Sequence, residues 1–190
     1  GGTRGHEGDE IADVNHADRI IEGFAIHNQP RMRGGFEHLP KLAANNVLLY
    51  RLLQEGRLEE FRHALAWWLA ATKAYAPKLV SPGADEMWKG RRNANITRLD
   101  DEIQGFSLTP RKVISAFIDA ANDLGLPHPV HIHCNNLGHT GNWETTLETM
   151  RTAGGRRLHI THIQFHSYGS VAGKATDNPT SRARDISEYV

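Results

Sequence analysis

The chain has 190 residues, enough for one domain with a real hydrophobic core and too few for two full ones. Its 22 Lys plus Arg balance 22 Asp plus Glu, so the basic excess that gathers nucleic-acid or membrane phosphates is missing, and no apolar run approaches the roughly 20 residues that cross a bilayer. The single cysteine, Cys134, cannot form an internal disulfide and points to a reducing cytoplasm, while 12 histidines are many for a side chain that binds metals and titrates near neutral pH.

Residues 1–35 mix charge, glycine and polar side chains, with a helical hint only from Ile20 to Phe24, and are expected to form a poorly defined N-terminal segment ahead of the folded part, 36–190. In AANNVLLYRLLQEG, the residues Val47, Leu48, Leu49, Leu52 and Leu53 lie close to one helical face, with Gly56 as the stop. RLEEFRHALAWWLAATKAY carries a second stripe of Leu58, Phe61, Leu65, Trp68, Leu69 and Thr72 at spacings of three and four. Lys78 to Val80 reads as a strand closed by Pro82-Gly83, and a loop rich in charge and aromatics runs on to Thr109. Thr109-Pro110 is an N-cap and first-turn pair opening a helix to Leu124, with Gly125 behind it. Pro129 to Cys134 is the next strand, Asn142 caps a helix reaching about Thr152, Gly154-Gly155 turns, and LHITHIQ forms a further strand.

Strands alternating with amphipathic helices predict an α/β fold with a parallel sheet, because parallel strands need long crossovers. An open doubly wound sheet and a closed barrel both satisfy this pattern. No GxGxxG follows a strand, and Lys78, His131, His133, His162 and His166 gather in or just after the strands, where a (β/α)8 barrel builds its active site. Such a barrel takes about 250 residues, so the expectation is part of a TIM-type barrel.

Alternation turns His131 and His133 to the same side of their strand, a frequent metal-chelating pair and also a common polar strand end. In LHITHIQFHSYG the same rule groups His162 with Leu158 and Ile160, and His159 with Thr161 and Ile163 on the opposite face. Lys78 stands in an apolar strand, and if buried it must be paired, neutralised or modified. A neutral lysine can add carbon dioxide to become a carbamate that bridges two metal ions; a salt bridge is the plainer alternative. Cys134 has no facing base, Asp100-Asp101-Glu102 reads as a solvated charge run, and Lys89, Arg91 and Arg92 after Trp88 form a small basic loop that would suit an acidic cofactor tail if it binds anything.

The runs KLVSPG, GFSLTPR, HIHCNNLGHTGN and HITHIQFHSYG resemble the A subunits of formylmethanofuran dehydrogenase and of the bacterial formyltransferase/hydrolase complex, in the amidohydrolase superfamily. The resemblance spans about Leu39 to Tyr168. It implies a distorted (β/α)8 barrel with a binuclear zinc site, in which Lys78 is the carboxylated bridging lysine and His133 and His162 are ligands from the fifth and sixth strands. His131, Asn135, Asn136 and His166 then become substrate or neighbouring groups. The implied reaction hydrolyses the N-formyl amide of formylmethanofuran to formate and methanofuran, or runs in reverse, alongside other subunits of the complex. The family's first-strand HxH pair has no counterpart in His6, His16 and His27, which stand alone, and its eighth-strand aspartate would fall beyond Val190, so the chain reads as the middle of such an enzyme. A different cyclic-amide or N-acyl amidohydrolase, and a barrel piece serving only in complex assembly, are the alternatives.

Overall fold

A computed structural model describes residues 41–83, 96, 98–169 and 181–190. The helical hint at Ile20 to Phe24, the basic loop of Lys89, Arg91 and Arg92, and the separate His6, His16 and His27 lie outside the described residues.

Among the described residues, four short strands, β1 (Lys41–Ala43), β2 (Ala76–Val80), β3 (His131–His133) and β4 (His159–Ile160), form one sheet in the order β1-β2-β3-β4. Every pairing is parallel. Helices α1 (Val47–Gln54) and α2 (Leu58–Thr72) connect β1 to β2, α3 (Pro110–Asp123) lies between β2 and β3, and α4 (Trp143–Ala153) between β3 and β4. A five-residue helix, α5 (Ala183–Ser187), follows. Spatial order equal to chain order is what successive βα units produce when each is laid beside the last. A sheet wound in two directions would reverse somewhere.

The expected helices form where the capping chemistry marks them. The Oδ1 of Asn46 accepts from the amides of Leu48 and Leu49 at 2.8 and 3.3 Å and starts α1. Thr109 Oγ1 accepts from Lys112 N at 3.3 Å, with Pro110 in the first turn of α3. The apolar stripe of α1 differs from expectation, since Leu49, Tyr50, Leu52 and Leu53 are buried whereas Val47 and Leu48 are exposed. At about 100° per residue the buried arc is centred between Leu49 and Leu53 and reaches Tyr50, which leaves Val47 on the far side and Leu48 just beyond the edge at Leu52. In α2, Phe61, Leu65 and Leu69 are buried, and Leu58 at its first turn faces solvent.

The sheet has two different faces. Leu42, Ala44, Leu79, Val130 and Ile132 are all inaccessible to solvent and pack in one core with Phe61, Leu65, Val113, Ile114, Phe117 and Ile118 from the helices. The irregular stretch before α3, expected as a loop rich in charge and aromatics, also feeds this core, with Ile96, Leu99, Ile103, Phe106 and Leu108 buried. A Cβ on Gly83 (φ +95°) would come within 2.9 Å of Pro110 and 3.0 Å of Ile103, so the turn ending β2 needs glycine both for its backbone and for this approach. The opposite face of the sheet carries Lys78, Val80, His131, His133 and His159 in its rows.

β4 ends at Ile160, well short of the strand expected through Gln164. His162 takes a left-handed backbone (φ 54°, ψ 37°) and leads into a single 3-10 turn, Ile163–Phe165. Strand alternation therefore stops holding at this point. Among the described residues no helix is long and apolar enough to cross a membrane.

Candidate active site

Register assembles the site. Lys78 pairs with His131 and His131 with His159, so one row across β2, β3 and β4 reads Lys78, His131, His159. The next row towards the C-terminal ends of the strands begins with Val80 beside His133. Lys78 is half-buried, and His131 and His133 are almost wholly enclosed. The rings of His131 and His133 lie 5.4 Å apart, as expected from alternation on one strand.

His162 reaches this cluster for a reason that spacing did not contain. Had the strand continued, alternation would have grouped it with Ile160, on the helix-packed face. The left-handed turn redirects the chain, and the His162 ring meets the His133 ring edge-on with centroids 4.6 Å apart. The two imidazoles are in contact, and the face that alternation assigned to His162 was wrong.

The row of imidazoles extends further than expected. His159 lies 4.7 Å, ring to ring, from His131 and 5.3 Å from His128. His128 Nδ1 is 2.8 Å from the carbonyl of Pro129, which only accepts, so Nδ1 carries the proton. In the neutral ring its Nε2 is then the acceptor for His159 Nδ1, 3.4 Å away. His159 joins the row through strand register, which sets His159 and Ile160 of β4 against His131 and Ile132 of β3 and so puts His159 beside His131. His128 precedes its strand and no periodicity marks it.

The loop after β3 ties the strand ends together. Asn135 is fully buried and donates from Nδ2 to the carbonyl of Pro82 at 3.1 Å, while its Oδ1 has no hydrogen-bond partner among the described residues. Asn136, at φ 63°, donates from Nδ2 to the carbonyl of Ile96 at 2.5 Å. His166 is also fully buried, and neither of its ring nitrogens has a hydrogen-bond partner among the described residues. Burial, helped by the nearby His162, lowers its pKa to about 4, so the ring is neutral at physiological pH. Asn142 differs from the simple cap expected of it: it stands at the start of α4, but its side chain makes no bond to that helix.

The remaining sequence candidates have structural roles. Cys134 packs in the helix-side core, where burial pushes its thiol up to about 12 despite hydrogen bonds with Thr149 and Thr146, which excludes a thiolate nucleophile. Asp100 is held by the Arg111 guanidinium at 2.7 and 2.9 Å, which keeps its carboxyl below the usual range, and Asp101 accepts from the backbone of Arg98 at 2.9 Å. Among the described residues no three His, Cys, Asp or Glu side chains converge as a metal site. A metal at this cluster would therefore need Lys78 or residues outside the described ones in addition to His133 and His162.

No protein-family model matches the sequence. The chain is 40% identical over 160 residues to Protein FwdA of Methanocaldococcus jannaschii, covering 78% of this chain and 27% of that protein. It is 36% identical over 140 residues to the A subunit of the formyltransferase/hydrolase complex Fhc of Methylorubrum extorquens, covering 73% of this chain and 24% of that one. A crystal structure of the Methylorubrum extorquens formyltransferase/hydrolase complex FhcABCD with methylofuran superposes with a TM-score of 0.72 at 34% identity, over 93% of this chain and 30% of the matched chain. The chain thus spans about a quarter of the length of the curated relatives it matches. Sequence and fold agree in placing it in the family formed by FwdA and the A subunit of Fhc.

Proposed function

We propose that this chain supplies one side of the active site of a zinc-dependent amidohydrolase, built as part of a (β/α)8 barrel, that hydrolyses or in reverse forms the N-formyl amide of formylmethanofuran in one-carbon metabolism. The observation that carries this reading is the convergence of Lys78, His131 and His133 on one sheet face with His162 turned onto His133. The C-terminal ends of the strands are where α/β folds place their chemistry. The FhcABCD complex, which contains a chain with this fold, was crystallised with methylofuran, and this favours a formyl-carrier substrate over a cyclic amide.

The donor chemistry fits zinc, given a second type of ligand beside imidazole. Two imidazoles in contact suit it, and a carbamate on Lys78 would provide the anionic oxygen that the cluster otherwise lacks. Forming it consumes the neutral amine and one carbon dioxide and releases one proton. Zinc held there would supply Lewis acidity and would lower the pKa of a bound water to about 7. The residues of this chain do the rest. His131 is flanked by His133 and His159, and His159 by His128, whose tautomer is fixed by Pro129, a backing that keeps the rings oriented. Asn135 retains an acceptor for a substrate N–H or a water, and His166, neutral and enclosed, retains both ring nitrogens. The other subunits of a formyltransferase/hydrolase-type complex are its natural partners, in the cytoplasm.

The test is elemental analysis of the full-length protein purified without chelators in bicarbonate buffer, with formate release measured from N-formyl amines. Wild-type protein should keep zinc through dialysis, and His133→Ala combined with His162→Ala should lose both zinc and formate release. Undiminished zinc in the double variant would overturn the ligand assignment.

A further inference from the structure

The loops that follow β3 and β4 are fastened together through one side chain. Asn142 Nδ2 donates to the carbonyl of Asn136 at 2.8 Å and to that of Phe165 at 2.6 Å, and Asn142 Oδ1 accepts from the amide of Tyr168 at 2.9 Å. Three of the four hydrogen-bonding positions of the amide are thereby used across two loops, at a residue only 2% exposed. Backbone bonds from Gly138 N to Phe165 O (3.0 Å) and from Trp143 N to Tyr168 O (3.3 Å) run alongside. Two non-glycine residues with left-handed backbones, Asn136 (φ 63°) and His162 (φ 54°), lie on the fastened segments. Such conformations persist where the surroundings over-determine them, and this amide supplies the determination.

We propose that Asn142 is a positioning residue that locks the β4 loop to the β3 loop and so holds His162 in its left-handed turn, with its ring against His133. The metal consequence rests on the function proposed above; the lock itself is a matter of backbone geometry and stands without a metal. Asn142→Asp separates this role from helix capping. The shape is unchanged, and aspartate at a helix N-terminus caps as well as asparagine and suits the helix dipole. As a lock it fails, because both donated bonds disappear and a carboxylate is set against two carbonyl oxygens.

The experiment compares wild-type and Asn142→Asp full-length protein by amide hydrogen exchange, zinc affinity and the visible spectrum of the cobalt-substituted form. Exchange across residues 162–168 should rise about tenfold or more in the variant as the two donated bonds are lost, while α3 stays protected. Zinc affinity should fall by about 10- to 100-fold, as for the loss of other groups that orient ligands, and the cobalt spectrum should change. Wild-type exchange across 162–168 in a folded variant overturns the proposal. So does a wild-type protein whose amides at Gly138 and Tyr168 exchange as fast as unstructured chain, a measurement that does not depend on the variant folding. A wild type that binds no zinc but shows protection of 162–168 that depends on Asn142 supports the lock and sinks the zinc reading.

Discussion

His166 and Cys134 are both fully buried, and burial acts on them in opposite directions, lowering the imidazole to about 4 and raising the thiol to about 12. For His166 the folded pKa lies below the ordinary value of 6.5, so above that pH the ring is neutral whether the chain is folded or not. As the pH falls from about 6.5 to about 4, the unfolded chain takes up a proton that the folded one refuses, and stability drops by up to about 3 kcal/mol. Denaturant titration of chelator-treated protein at about pH 7 and about pH 5 should show this loss, with a flatter dependence in His166→Phe; equal slopes would count against it. Cys134 should resist thiol reagents at about pH 8 in the folded protein and react only on unfolding, which mass spectrometry of alkylated protein can check.

At the scale of elements, two contacts decide how firmly the sheet is held. Asn45 Nδ2 donates to the carbonyl of Val80 at 2.9 Å and its Oδ1 accepts from the Val80 amide at 2.8 Å, extending β1 by one side-chain rung beside β2. Asn45→Ala should cost about 1–3 kcal/mol in chemical denaturation, since both Val80 groups lose their partner. On the helix side, Phe117 meets Phe61 edge-to-face at 5.0 Å within the core, and Phe117→Ala should cost about 3–5 kcal/mol. The helices and the two histidine-bearing strands were legible because caps, glycine stops and apolar periodicity are local signals. β1 was not, since Lys41-Leu42-Ala43 is three residues long without a β-branched member and exists only through its pairing with β2. The end of β4 was misread for a related reason: alternation assumes that a strand continues, and the turn at His162 is held by hydrogen bonds from residues 20 or more positions away, as with Asn142 to Phe165. Spacing also presented Asn142 as a cap, because a side chain that bonds across to another loop leaves no mark in its own helix.

Over the whole molecule, one side of the sheet is closed by helices and the other presents lysine and histidine. Arg111 is a junction on the closed side, bonding Asp100, Glu148 (3.0 Å) and Thr152 (3.1 Å) and thereby joining the stretch before α3 to α4. Arg111→Ala should lower stability by about 1 kcal/mol, and the loss should shrink in high salt because the partners are partly exposed; a salt-independent loss in thermal unfolding would point to packing instead. The α/β class followed from the order of the segments, and the gathering of lysine and histidine in or just after the strands from their positions, whereas the run from His128 through His159 to His131 depended on strand register.

The agreement between spatial and chain order has a consequence for how such a site can change. Each βα unit adds a strand next to its predecessor, and with it one seat in every cross-sheet row. Lys78, His131 and His159 occupy consecutive seats of one row, so a substitution at any of them alters one position of a linear array and leaves the spacing of the others to the backbone. His162 is the exception, an imidazole seated by a loop instead of a strand. Sequence drift in the strands would therefore change what the array holds, and drift in the loops would change whether its last member reaches it.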